Sequence, residues 1–380
     1  MARDRSPSPH SFARLAALFA CVTSLSVLLS ARQAGGPSGA EPSAAQAPRT
    51  PTLPQRLTDR QFWNLSESLS EPGGYFRSEN LVSNEHTFQY VIPELRRRVK
   101  PGGVYLGVAP DQNFTYIAAV QPAMAFIVDI RRGNLLQHLM YKAIFELSKD
   151  RADFVSLLFS KKRPERLGPS SSATEIFAAF DQVETSKELY AQNVAAIRTR
   201  LVKGHGFRLS DDDLEKLESI YFAFFWDGPG IRYSMGQGGR GFGTAFPTYE
   251  ELMVQTDWEG VERGYLASDT NFRFVKTLEE KNLIVPVVGN FAGPKALRGV
   301  GRYARERGAT ITAFYVSNVE QYLRLERVWG SFCGNASRLP IDETSTFIRA
   351  GRGGRYSRGT ALTAELAPIA VEVEGCDRRP

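Results

Sequence analysis

Runs of uninterrupted apolar residues alternate along this chain with stretches in which apolar positions return every three or four residues, a pattern that predicts an α/β protein. Val104–Val108, Met124–Val128, Leu283–Val288 and Thr310–Val316 read as strands, and the uninterrupted apolar character of Leu283–Val288 fits a buried parallel position. Gly133–Ser148 reads as an amphipathic helix with Leu135, Leu139, Ala143 and Leu147 on one face, and Ser268–Lys281 and Lys295–Arg307 as further helices. Thr58 with Gln61, and Thr248 with Glu251, have the spacing of capping boxes and predict helix starts. Phe88–Val99 predicts a helix whose Arg96, Arg97 and Arg98 complement the dipole at its last turn. Phe154–Phe159 suits either a strand or a helix. SSSATEIFAAFDQ, KELYAQNVAAIRTRLV and SDDDLEKLESIYFAFFW form a helical insertion at about 160–226, either a cap beside the site or an extension of the core. A helix through Gln321–Trp329 and a short strand at Ser345–Arg349 complete the reading.

Polar residues gather where the strands end. The first strand finishes at Gly107, whose missing side chain permits close backbone approach, and a turn through Asp111 and Asn113 leads into a helix from about Thr115. The next strand ends in Asp129, followed by Ile130, at the separation expected of an acid that binds ribose hydroxyls. Arg131 and Asn134 are neighbours of such a ligand, while His138 reads as a packing residue. Asn290, Ser317, Asn318 and Glu320 form a second cluster at the ends of two later strands, although Asn318 serves equally as a helix cap. The polar loop Glu71–Glu85 is a lid over the ligand or a surface connection. The glycine-rich stretch Asp227–Gly243 lacks the Lys-Ser or Lys-Thr of a phosphate loop and reads as a flap or a plain connection.

With VYLGVAPDQN in the place of a glycine-rich first motif and FIVDI in the place of an acidic second motif, the chain resembles the Rossmann-like S-adenosylmethionine-dependent methyltransferases. It is more closely similar to an uncharacterised bacterial family with a methyltransferase-like fold, through YFRSENLVSNEHTFQYVIPEL, FPTYEELM, LIVPVVGNFAGPKALRGVGRYARERGA and TAFYVSNVEQYL. That likeness spans about Leu57 to Trp329. The resemblance implies a Rossmann-like sheet with helices on both faces, S-adenosylmethionine bound over Gly107, and Asp129 on its ribose. The cofactor-binding set expected is Gly107, Asp111, Asn113, Asp129, Ile130 and Asn290, with Glu320 or Glu85 as a base for the acceptor. Ala109 and Asp111 depart from the pattern by standing where further glycines would lie. Asp111 either approaches the ligand's amino group or marks a site that no longer binds the cofactor.

The N-terminus changes the setting. Arg3, Arg5 and Arg14 precede the apolar run Leu15–Ala31, so residues 1–34 read as a secretory signal or retained anchor, residues 35–56 as a tether, and 57–380 as the folded domain. Export to the periplasm or envelope follows, with a cytoplasmic location if the start is misassigned. An exported enzyme would be separated from cytoplasmic adenosylmethionine, so the competing class is a non-catalytic envelope protein that uses the cleft for another ligand or partner. Cys333 and Cys376 either pair in that oxidising compartment or remain thiols. With 4 histidines, 3 cysteines and no Cys-x-x-Cys, no metal site is expected. The formal charge of +6 suits an anionic partner only weakly, and the brief Arg352–Gly359 run reads as a turn before it reads as an RNA contact. A small-molecule ligand is the partner expected, with the membrane touched only through an uncleaved N-terminus and the oligomeric state open.

Overall fold

A computed structural model describes residues 52–234, 246–351 and 362–376. The expectations for the export segment, for most of the tether, for the centre of the glycine-rich stretch and for the Arg352–Gly359 run therefore lie outside the described residues. Seven strands form one mixed sheet: β1 (Glu85–His86), β2 (Val104–Gly107), β3 (Met124–Asp129), β4 (Ile284–Val288), β5 (Ile311–Ser317), β6 (Thr346–Gly351) and β7 (Leu362–Pro368). Their order is β1-β7-β6-β5-β2-β3-β4. Strands β2 to β6 are mutually parallel, β7 runs antiparallel to β6, and β1 pairs parallel with β7. Every residue of β2, β3 and β4 is buried, as a parallel strand covered on both faces requires.

Alternation along β5 shows the two covered faces. Phe314 meets Phe291 at 5.0 Å between ring centroids, whereas its neighbour Tyr315 turns to the other side and meets Tyr116 at 5.0 Å. The helices Gln112–Val120, Arg132–Leu147 and Asp269–Glu280 pack together, and Asp59–Leu69, Ala296–Glu306 and Trp329–Ala336 form the other group. Both predicted capping boxes are present, at Thr58 with Gln61 and at Thr248 with Glu251. Residues Arg151–Phe159 resolve as helix, because the Asp150 side chain accepts from the Asp153 N–H and caps it. The expected helix through Gln321–Trp329 is instead two, Val319–Leu325 and Trp329–Ala336, separated where Arg327 takes a left-handed φ of 61°.

Residues 160–226 are helical, with helices Ala173–Asp181, Lys187–Arg198 and Asp211–Asp227. They extend the core: helix Asp211–Asp227 packs on helix Arg132–Leu147, with Phe224 against Tyr141 at 6.0 Å. Cys333 and Cys376 form a disulfide with Cα atoms 5.3 Å apart, which ties the C-terminal segment to helix Trp329–Ala336. Among the described residues, no helix is long and apolar enough to cross a membrane.

Candidate functional site

Strand order reverses between β2 and β5, and chain connections leave a crevice at the carboxyl ends of strands around such a point. A cleft of about 710 Å³, open to solvent, occupies that position. Val108 and Ala109 after β2, Asp129, Ile130 and Arg131 at the end of β3, Gly289, Asn290 and Phe291 after β4, and Ser317, Asn318 and Val319 after β5 line it. Tyr75, Phe76 and Asn80 of the polar loop, with Tyr322, Leu323 and Glu326, complete the wall. The loop Glu71–Glu85 is thus part of the site, while the insertion supplies no lining residue.

That loop is fastened to β3. The Gly74 N–H donates to the Ile130 carbonyl at 2.7 Å, and a Cβ at Gly74 would collide with the Ile130 side chain. Arg131 reaches the loop carbonyls of Ser78, at 3.4 Å, and Glu79, and Gln137 donates to the Leu81 carbonyl at 2.7 Å. Phe76 then stands edge-on to Tyr322 at 5.2 Å, an aromatic pair at the cleft.

Asp129, Ile130 and Asn290 are brought together as expected, but Asp129 does not face the cleft alone. Its Oδ1 accepts from the Arg131 backbone N–H and Nε, each at 2.9 Å, and its Oδ2 accepts from a terminal guanidinium nitrogen at 2.7 Å. The fork neutralises the acid and makes Arg131 a second polar feature of the wall. Asn290 holds its own turn, its side-chain oxygen accepting from the Ala292 N–H at 2.9 Å. Glu71 caps the same segment: its carboxylate accepts from the Asn290 N–H at 3.1 Å and from the Lys295 and Ala296 N–H groups at 2.8 Å, at the start of helix Ala296–Glu306.

Gly107, Asp111 and Asn113 do not line the cleft. A Cβ at Gly107 would collide with Asn113 Oδ1, so the glycine admits an internal side chain and not a ligand. Asn113 donates to the carbonyls of Val108, Ala109 and Pro110 at 2.8, 3.1 and 2.6 Å, and accepts from the Tyr105 hydroxyl at 2.9 Å. It closes the turn and starts the helix at Gln112, three residues earlier than the sequence suggests. Asp111 is 2% exposed, with Oδ2 unpartnered, and burial pushes its pKa up to about 7. Asn134 and Tyr141 of helix Arg132–Leu147 also bury polar atoms without partners. On the same helix, His138 meets the Ala109 carbonyl at 2.9 Å through Nε2 and leaves Nδ1 unpartnered, and burial pushes its pKa down to about 4.

The two base candidates also sit elsewhere. Glu320 pairs with Arg349 at 2.9 Å, away from the cleft. Glu85 is 1% exposed and accepts from Tyr315 at 2.7 Å, Gln112 at 2.8 Å and Ser317; burial raises its pKa against those bonds. It acts on the site through Ser317. Asn318 stands at the start of helix Val319–Leu325 without a side-chain capping bond, so it belongs to the cleft wall.

Ala109, two residues past the end of β2, and Ser317, the last residue of β5, both take left-handed backbone, with φ of 66° and 52°. Such conformations cost of order 1–3 kcal/mol in residues with a side chain and cluster at binding sites. Ala109 therefore keeps a glycine-type conformation at a position where the sequence lacks the glycine. The residues that sequence reasoning missed are Tyr75, Phe76, Phe291 and Tyr322; an aromatic pair after Gly73-Gly74 in an otherwise polar loop was the available signal.

Matches to the domain family DUF7790, described as a domain of unknown function, cover residues 80–205 and 173–367. The chain belongs to the DUF7790 family. The matched segments include all the strand ends that form the cleft, and the loop residues Tyr75 and Phe76 precede them. No curated protein matches this DUF7790 chain.

Proposed function

We propose that the cleft binds S-adenosylmethionine and that the chain is a Rossmann-like methyltransferase acting on a small acceptor. The observation that carries this reading is the placement of the cleft. Counted in chain order, the five parallel strands lie 3-2-1-4-5, the order of doubly wound nucleotide-binding sheets, and the cleft opens at the reversal.

The residues present suit the cofactor. Asp129 Oδ1 is filled by two bonds from Arg131, but Oδ2 accepts only one and keeps an acceptor direction for a ribose hydroxyl beside the guanidinium. Ile130 and Phe291 supply apolar surface for a planar base, and the left-handed Ala109 preserves the turn after β2. Adenosylmethionine, when bound, supplies the activated methyl group. Ser317, held by Glu85, and Asn318 offer polar groups on the β5 side for orienting an acceptor, and orientation carries much of the rate in such a transfer.

A second reading, non-catalytic binding in an exported protein, is favoured by the Cys333–Cys376 disulfide, since such bonds belong to oxidising compartments. Titration calorimetry of the chain with adenosylmethionine and adenosylhomocysteine tests both readings. Saturable binding that weakens about tenfold or more in Asp129→Ala, with adenosylmethionine converted to adenosylhomocysteine as a candidate acceptor gains the methyl group, supports the enzyme. Absence of binding by folded protein overturns the enzyme and leaves the second reading, in which the cleft takes another ligand or partner.

A further inference from the structure

Outside the cleft, four arginines surround a single groove. Arg298, Arg302 and Arg305 recur at i, i+4 and i+7 on helix Ala296–Glu306 and so share one face, and Arg338 joins them from the segment after helix Trp329–Ala336. All four are exposed, above a floor of the buried Leu297, Gly301 and Leu339. The groove spans about 900 Å³ of space open to solvent.

Two of the guanidiniums are oriented by uncharged partners, and none of the four is neutralised. Arg298 Nε donates to Asn335 Oδ1 at 2.7 Å, and Arg305 donates to the Arg338 carbonyl. Both acceptors are uncharged, and among the described residues no carboxylate pairs with any of the four. The nearby Glu306 is engaged by Arg307 at 3.8 Å. Like charges one helical turn apart repel, so the arrangement costs stability that an anion would return. Guanidinium forks match phosphoryl oxygens bidentately, and several of them around one hollow suit linked phosphoryl groups. Among the described residues no aromatic side chain lines the groove to stack a base, which argues for a compact anion over a nucleic-acid strand.

We propose that this groove binds an oligophosphate, a ligand carrying two or three linked phosphoryl groups. Behind Arg298, the buried Asn335 donates to the carbonyls of Phe291 at 2.9 Å and Gly293 at 2.8 Å, so the groove rests on the loop that walls the cleft.

Calorimetry of the full chain with inorganic triphosphate, at about 50 and about 200 mM salt, is the test. Expected are one-to-one saturable binding at the lower salt, a marked loss of affinity at the higher, and a weakening of roughly tenfold or more in Arg302→Ala and in Arg338→Ala. Circular dichroism should show both variants folded, because the replaced side chains are exposed, and Arg96→Ala on another helix should bind as wild type. The proposal is overturned by absence of saturable triphosphate binding in the wild type, or by unchanged affinity in Arg302→Ala/Arg338→Ala. It is likewise overturned if duplex DNA or phosphatidylserine vesicles engage these arginines while triphosphate does not.

Discussion

Replacing Asp111 by asparagine tests whether the carboxyl beneath the turn after β2 is held neutral. Asp111 is buried, its Oδ2 has no partner, and burial pushes its pKa up to about 7. In the unfolded chain an aspartate titrates near 3.9, about three units lower. The folded form therefore holds the proton more tightly. Its contribution is fully present below pH ~4, is lost progressively as pH rises, and is gone above about pH 7. At about 1.4 kcal/mol per unit, the full span is worth roughly 4 kcal/mol. His138 works in the opposite sense: burial depresses its pKa to about 4, so its contribution is present above about pH 6.5 and is lost as pH falls. The two slopes offset one another in the wild type between about pH 4 and 6.5. Comparing wild type with Asp111→Asn cancels the histidine and isolates the acid. In urea unfolding, the stability of Asp111→Asn relative to wild type should grow by about 1.4 kcal/mol per pH unit, gaining roughly 3 kcal/mol from pH ~5 to ~7 and then levelling. A difference that does not change with pH would refute the reasoning.

Ala109→Gly should raise stability by about 0.5–1 kcal/mol, because relief of a left-handed alanine outweighs the added entropy of the unfolded glycine; urea unfolding measures it, and a net loss contradicts it. Gly74→Val should force the 71–84 loop off Ile130, seen as faster limited proteolysis within that loop and weaker adenosyl-ligand binding with little change at the sheet. Cys376→Ser should cost about 4 kcal/mol from the lost closure of a loop with a sequence separation of 43, and a reductant should then no longer affect the variant's unfolding midpoint.

The sequence was most informative where structure is decided locally. Thr58 with Gln61 and Thr248 with Glu251 satisfy their helix starts within four residues, and the apolar runs that became β2 to β5 need no partner's identity to announce burial. β1 was invisible because two residues in a polar loop become a strand only by pairing with β7, whose first residue lies 277 positions from Glu85 in the chain. Asn113 was misjudged because an amide that could serve a ligand serves three carbonyls of its own turn equally well, and the choice depends on which way the helix start faces. Asp129 lies at the strand end where the sequence puts it, but a period of two says only that Arg131 can share its face, not that the guanidinium folds back onto the carboxylate.

Glu71 gives the segment behind the β4 wall of the cleft a resident anion. Free amides at a helix start would welcome a phosphate, yet here the Lys295 and Ala296 N–H groups already hold a carboxylate of the same chain. A nucleotide presenting its phosphate at that point would meet repulsion and would have to evict Glu71, whereas a nucleoside without phosphate pays neither cost. The capping contact thus leaves this helix start with its amide donors already satisfied from within the chain.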